Sequence, residues 1–309
     1  MTRRSAIRLA AILAALALLA AGAVTFRWYQ AAKQEPDPAF DVSVSRPTYG
    51  ADGPVVLFDE AHHNFHTAAR RYKPFADLIG ADGYRVRRHV ERFTASSLQG
   101  GDVLVVANAL GAWLPVVPGA ERPAFTAAEC DAVRDWVHAG GALLLIADHE
   151  PAGAAAQELA NRFGIHMSTG RAFDPDHYVE EIGSLSWILL TRDNGLVIEH
   201  AITRGRDPSE TVNRIIAFTG QSLGGADGSQ PFLGLGPRAF DESPSGNRQP
   251  AAGRALGVAL NHGKGRVVAV GEAAMLTAQL VGSARRPLGM NYPGTPKKLT
   301  PRAPRRWKD

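Results

Sequence analysis

The amino-acid sequence predicts an α/β domain with a mostly parallel sheet and helices on both faces, preceded by an N-terminal transmembrane or signal helix. Short, uninterrupted apolar runs alternate with helical segments, a pattern typical of strands that are covered on both faces. A separate apolar run near the amino terminus follows a group of arginines. The chain has 309 residues, of which 45% are hydrophobic, so one main domain can bury a large core.

The first 29 residues have the pattern of a signal peptide or an uncleaved signal anchor. Three arginines precede an almost continuous apolar run from Leu9 to Phe26. This run has about the minimum length that spans a bilayer, and the preceding charges predict a cytoplasmic amino terminus. We therefore expect the domain at the inner membrane, facing the periplasm or the cell exterior. The small residues around Ala23 leave cleavage and secretion as the alternative.

Residues 30–53 are rich in proline, glycine and polar residues, which predicts a linker, and residues 54–291 form the α/β domain. Residues 292–309 form a basic tail, and eight lysines and arginines lie between Arg285 and Asp309. Without the charged residues of 1–29 and 285–309 the chain has a net charge of about −7. The basic isoelectric point therefore belongs to the ends, and we expect no nucleic-acid partner.

Strand and helix alternate through the first half of the domain. Thr126 and Glu129 have the spacing of a capping box, which begins one of the predicted helices. Strands are predicted at 54–58, 83–88, 102–107 and 142–147, and helices at 67–79, 126–137 and 154–163. This order favours a parallel sheet.

The second half of the domain is less regular. Residues 196–198 are predicted as a strand, and residues 220–252, rich in glycine, serine and proline, as a long surface excursion. Two strands at 255–260 and 266–270 are joined by a short glycine-containing turn, which predicts a hairpin. Residues 273–281 are predicted as a helix.

Polar side chains follow several of the predicted strands. In an open parallel sheet, ligands bind at the carboxyl ends of the strands. The candidate ligand-binding residues at this edge are Asp59, Glu60, His62, His63, Asn64, Asn108, Asp148, His149, Glu150 and Glu272. His66 belongs to the same group after the first strand. We expect these side chains to share one crevice.

The chemistry of this group stays open. Imidazole and carboxylate are ligands of zinc and other divalent metals, but the spacing matches no recognised metal signature, so no metal ligand is assigned. A hydrolase using Glu60, His62, His63 and His149, directly or through a metal ion, is one alternative. A binding site for a small polar ligand or a protein is the other. The sequence has no nucleotide- or flavin-binding motif.

Five stretches of the domain resemble the class I glutamine amidotransferase-like superfamily, in particular its extracytoplasmic branch of unknown function. They are residues 56–64, 102–109, 140–149, 200–205 and 263–275. The resemblance extends from about residue 54 to residue 291. It implies a flavodoxin-like sheet, and a final helix that the basic tail does not provide.

The resemblance also implies where a nucleophile would stand. Active class I amidotransferases carry a cysteine on a sharp turn directly after the strand that corresponds here to residues 142–147. This sequence has Asp148 at that place. Its single cysteine, Cys130, lies inside a predicted helix and lacks the exposed turn that nucleophilic attack needs. We therefore expect no glutaminase activity.

Overall fold

The computed structural model describes residues 33–225 and 227–294, so the predicted signal or anchor segment, 1–29, and residues 295–309 of the predicted tail lie outside it. The helices are α1 (Lys73–Ala81), α2 (Ala127–His138), α3 (Ala152–Asn161) and α4 (Ala201–Arg204). The strands are β1 (Gln34–Pro36), β2 (Val55–Asp59), β3 (Arg85–His89), β4 (Val103–Ala107), β5 (Ala142–Ile146), β6 (His166–Met167), β7 (Arg171–Phe173), β8 (Tyr178–Val179), β9 (Ser184–Thr191), β10 (Arg214–Phe218), β11 (Leu223–Gly224), β12 (Gln230–Gly234), β13 (Phe240–Glu242), β14 (Arg248–Pro250), β15 (Ala255–His262), β16 (Gly265–Val270), β17 (Ala278–Val281) and β18 (Arg286–Gly289). Short 3-10 turns lie at Pro208–Glu210 and Ala274–Leu276.

The central sheet is mixed and mostly parallel. Its strands follow the order β3-β2-β4-β5-β16-β15-β11-β6, with β12 paired to β15. The five strands from β3 to β16 run parallel to one another, as the sequence predicts for β2, β3, β4 and β5. Their carboxyl ends therefore lie along one edge of the sheet, which we call the carboxyl edge.

The inner strands β2, β4 and β5 are almost entirely apolar because both faces of the sheet are covered there, whereas β3, at the edge, carries three arginines. Alternate residues such as Phe58 and Ile146 join a core cluster that includes Phe75 of α1. The intervening residues, such as Leu145, join a second cluster with Val133 of α2 and residues of α3. Since successive side chains of a strand point to opposite faces, α1 covers one face and α2 and α3 cover the other.

The sequence predicts a long surface excursion at residues 220–252, and this prediction is wrong. The segment contains β11 and β12, which both pair with β15, and β13 and β14, which form a small sheet with β7. Phe232 and Leu233 are buried in the core. The glycines and prolines of this segment separate short strands. Because the strands are short, the composition of the whole segment resembles that of a loop.

Two further elements differ from their predictions. Residues 273–281 form the 3-10 turn and then β17, because Glu272 accepts hydrogen bonds from the first two amides after Ala273 and Thr277 returns to an extended backbone. Residues 196–198 make only an isolated bridge between Val197 and Leu233. The predicted hairpin is confirmed, since β15 and β16 pair antiparallel.

The described part of the predicted linker, residues 33–53, lies against the domain. Its β1 pairs antiparallel with β17, and Phe40 and Tyr49 pack on the core. Most of the remainder has no regular structure. Among the described residues, no helix combines the length and the apolar character that a membrane crossing requires.

Candidate functional site

The structure divides the predicted residues at the carboxyl edge into two buried groups and several separate side chains. The first group, the His62 cluster, consists of Asp59, His62, Asn64 and Glu129. The second, the Asp148 cluster, consists of Asn108, Asp148 and Glu272. The loops that carry them are joined by backbone hydrogen bonds, including one from the amide of Leu110 to the carbonyl oxygen of His62 at 3.0 Å.

The His62 cluster places an imidazole between two carboxylates. Nδ1 of His62 lies 2.8 Å from Oδ1 of Asp59, and Nε2 lies 2.9 Å from Oε1 of Glu129. The Asn64 amide donates to Oδ2 of Asp59 at 2.9 Å. The ring of His62 packs against Phe93 and Phe125 at centroid distances of 4.5 and 4.7 Å. Only 2% of His62 is exposed, so no surface remains for a substrate.

The charges of this cluster stabilise one another. Burial by itself lowers the pKa of His62, but hydrogen bonds and charge from Asp59 and Glu129 raise it above its ordinary value. Burial by itself raises the pKa of Glu129, yet bonds from His62 and Thr126 lower it to about 2. Carboxylates only accept hydrogen bonds, so a ring with one at each nitrogen is held as an imidazolium. A histidine held in this way cannot act as a general base.

The Asp148 cluster joins the ends of three strands. The Asn108 side chain donates to Oδ2 of Asp148 at 2.7 Å, and the Asp148 amide donates back to Oδ1 of Asn108 at 2.9 Å. The Ala273 amide donates to Oδ1 of Asp148 at 2.5 Å. Glu272 accepts from the amides of Ala274 and Met275 at 2.8 and 2.6 Å. The cluster therefore closes the ends of β4, β5 and β16 against one another.

Burial decides the protonation of the two acids in this cluster. It raises the pKa of Asp148, against the hydrogen bond from Asn108 that lowers it. It also raises the pKa of Glu272 well above the ordinary value, and the neighbouring charge of Asp148 adds to the shift. Because the charge of Asp148 opposes its ionisation and its side chain is buried, Glu272 keeps its proton to a higher pH than an exposed glutamate does.

The other predicted residues do not join either group. Glu60 accepts hydrogen bonds from Arg88 of β3 and from the amide of Ala68. His63 is exposed, with a φ of 51°. His149 Nδ1 bonds to the carbonyl oxygen of Glu150, and the Glu150 amide donates to the carbonyl oxygen of Thr169. The expectation of one shared crevice is therefore corrected: the side chains follow the carboxyl ends of the strands, but most of them form hydrogen bonds within the protein in two separate groups.

His66 is a separate buried histidine. Its ring packs on Tyr72 and Phe65, and burial lowers its pKa to about 3. Nδ1 has no hydrogen-bond partner within the described part of the chain. His66 is therefore neutral at physiological pH. Within residues 33–225 and 227–294, no three histidine, cysteine, aspartate or glutamate side chains are placed to hold a metal ion.

Cys130 does not lie on the turn after β5. The thiol lies on α2, packed in the second core cluster, and it is fully buried. Burial raises its pKa to about 11. Asp148 follows β5, and its carboxylate accepts hydrogen bonds from the Asn108 side chain and the Ala273 amide. A protonated, enclosed thiol cannot attack glutamine.

Sequence reasoning missed three features of this edge. Glu129 has the expected capping box with Thr126, but its contact with His62 spans 67 residues and has no local signal. Gln221, fully buried, donates to the carbonyl oxygens of Ala147 and Asp148 at 2.9 Å and fixes the loop after β5. The third is an exposed apolar loop at residues 112–118, a run of apolar residues without charge that the sequence shows plainly.

Comparison with known proteins gives the fold. No family model matches the sequence, and no curated protein matches it. The N-terminal domain of mmIFT52 is similar in structure, with a TM-score of 0.55 and 16% identity over 72% of this chain and 88% of that chain. Cytoplasmic protein STM1381 from Salmonella typhimurium LT2 has a TM-score of 0.43 and 15% identity over 71% and 88%. A ThuA-like protein from Bacteroides uniformis ATCC 8492 has a TM-score of 0.42 and 12% identity over 85% and 91%. The domain has a class I glutamine amidotransferase-like fold.

Proposed function

We propose that this chain is a membrane-anchored, extracytoplasmic amidotransferase-like domain without glutaminase activity, which binds its partner at the carboxyl edge of the sheet. The observation that carries the proposal is the use of the polar groups there. Asp148 occupies the position after β5 and is bonded on both carboxylate oxygens, and both ring nitrogens of His62 face carboxylates. These side chains therefore stabilise the loops at the carboxyl edge, which favours a role in binding over a role in catalysis.

The strand order of the sheet also supports this proposal. In chain order, the five parallel strands occupy the positions 2-1-3-4-5, the order of flavodoxin-like sheets. Ligands of such sheets bind outside the carboxyl ends, near the point where the strand order reverses. Here that point lies between β2 and β4, where the His62 cluster fixes the loops after β2, β3 and β4. A rigid base under exposed loops is suited to binding.

The kind of contact follows from what remains exposed. A small polar ligand needs free donors and acceptors, and most of those at the edge are bonded internally. By contrast, Trp113 is 69% exposed and Val116 is 85% exposed in the loop after β4, and Val90, after β3, is 62% exposed. Large exposed apolar side chains mark surfaces that contact a partner or a membrane. We therefore favour binding through these loops.

Two measurements test the proposal. Purified full-length protein should release no ammonia from glutamine; ammonia release that Cys130→Ala abolishes would refute the absence of glutaminase activity. Binding at the edge is tested with a photo-crosslinking amino acid in place of Val116, in native membranes. We expect adducts there and none at an exposed control position, Gln99, which precedes β4. Adducts at Gln99 alone would place the binding surface elsewhere.

A further inference from the structure

We propose that the exposed apolar loop, residues 112–118, inserts into the interfacial region of a lipid bilayer and so docks the carboxyl edge onto the membrane. This inference rests on the proposed function, because it names the surface that the edge binds. It assigns the role of the loop to lipid contact rather than to a polar ligand or a protein.

The loop is apolar along its whole length. Its sequence is Ala-Trp-Leu-Pro-Val-Val-Pro, seven apolar residues without a charge. Trp113 and Val116 are largely exposed, and Leu114 is 37% exposed. Tryptophan is the side chain enriched at membrane interfaces, where its ring lies among the headgroups, and valine and leucine add apolar area below it. Left in water, this surface is unfavourable.

The conformation of the loop is fixed by contacts at its base. The Gly111 amide donates to the carbonyl oxygen of Ala120 at 2.9 Å and closes the loop at its base. Phe125, just after it, stacks on Phe93 with a centroid distance of 5.7 Å, and both rings pack on His62. The loop therefore needs little further ordering when it inserts, and less of the apolar gain is lost to entropy.

The charges around the loop do not carry the proposal. Arg122 and Arg92 lie in the loops at this edge, but Glu121 and Glu91 are their immediate neighbours, so the local charge is nearly balanced. Arg92 also lies 3.2 Å from Glu129. Apolar insertion, rather than attraction to anionic lipid, is the interaction that the surface supports.

Two features favour a bilayer over a protein as the partner of the loop: its small exposed apolar surface and the membrane anchor predicted near the amino terminus. The three exposed apolar side chains of the loop, Trp113, Leu114 and Val116, present much less surface than the roughly 800 Å² per partner that a stable protein interface buries. A weak lipid contact is sufficient when the domain is already tethered, since tethering raises its effective concentration. The sequence predicts such a tether in residues 9–26, and the six residues from 27 to 32 reach at most roughly 20 Å before the domain begins.

The test uses the full-length chain in nanodiscs of synthetic phospholipid. Cys130 is the single cysteine and is fully buried, so a spin label attaches selectively to Val116→Cys or to the matched control Gln99→Cys. We expect the label at residue 116 to show a severalfold lower collision rate with a water-soluble nickel complex than the label at residue 99. Adding Trp113→Ser to Val116→Cys should reverse most of this protection, because the exposed serine weakens insertion without touching the core.

Three results would overturn the proposal. Equal nickel accessibility at residues 116 and 99 in lipid nanodiscs would exclude insertion. Failure of the full-length chain to enter nanodiscs would remove the tether. Protection of residue 116 in native membranes but not in pure lipid would identify a protein partner instead, and in that case the proposed binding at the carboxyl edge would stand.

Discussion

Replacing Glu129 with glutamine removes one negative charge from the His62 cluster while keeping the length of the side chain. Glutamine can still occupy the third helical position of a capping box, so α2 should begin at the same residue. Thr126, which bonds the Glu129 carboxylate through its amide and its hydroxyl, also remains in place. The substitution therefore tests the charge interaction with His62 more than the helix itself.

The magnitude follows from the pKa of Glu129. A fall from the ordinary 4.5 to about 2 means that the folded state prefers the ionised form by about 3 kcal/mol. The folded pKa is depressed, so this stability is fully present above pH 4.5 and is lost as the pH falls towards 2. Asp59 keeps His62 paired after the substitution. We expect Glu129→Gln to lower the free energy of unfolding by about 2 to 3 kcal/mol at pH 7.

The assay is urea unfolding of the full-length protein in a mild non-ionic detergent, at pH 7 and at pH 3. The loss should be clearly smaller at pH 3, because part of the wild-type advantage is then gone. Glu158→Gln is the matched control, since the Glu158 carboxylate is 52% exposed and lies 3.9 Å from Arg162. Exposed pairs of this kind contribute about 0 to 1 kcal/mol. A loss under about 0.5 kcal/mol for Glu129→Gln, or one of equal size at both pH values, would refute the charge interaction.

Three other predictions concern buried groups. Cys130 should resist iodoacetamide in the native protein at pH 8 and react after unfolding, because burial raises its pKa to about 11; rapid native alkylation would contradict the structure. Glu272, whose pKa is raised, should show a protonated carboxyl band in isotope-edited infrared spectra above pH 4.5, and its contribution to stability should fall as the pH rises; a spectrum of carboxylate alone at pH 5 would exclude this. Gly220→Ala should lower the free energy of unfolding by about 1 to 3 kcal/mol, because the added Cβ would lie 2.6 Å from the carbonyl oxygen of Gly271, whereas Gly80→Ala, in open space on α1, should not destabilise the protein; equal melting temperatures for the two variants would show that the site of Gly220 relaxes.

The parallel half of the fold could be predicted because its signals are local. The strands β4 and β5 are continuous apolar runs, as buried strands must be, and the capping box at Thr126 marks the start of α2. Apart from the hairpin of β15 and β16, the second half could not be predicted, because its strands are short and their partners are distant in sequence. Residues 230–234 become a strand only by pairing with β15, which no local pattern in a glycine-rich segment reveals.

The sequence predicts the candidate residues at one edge of the sheet for a physical reason: parallel strands bring their carboxyl ends together. The hydrogen bonds of these residues could not be predicted. Whether the His62 ring faces solvent or a carboxylate depends on Glu129, which is 67 residues away in the sequence. Likewise, Asp148 is equally compatible with catalysis and with capping until Asn108 and Ala273 are seen to bond it. Residue types show what chemistry is available, and only long-range contacts show whether it is already in use.

The pairing of β1 with β17 determines how mechanical load would enter this domain. Tension on the chain before Lys33 reaches first the three residue pairs between Gln34–Pro36 and Gln279–Val281. These pairs belong to a small sheet separate from the central one. A pull from the amino-terminal side would therefore peel a peripheral strand before it strained the central sheet, and the carboxyl-edge loops would keep their shape while the attachment yields.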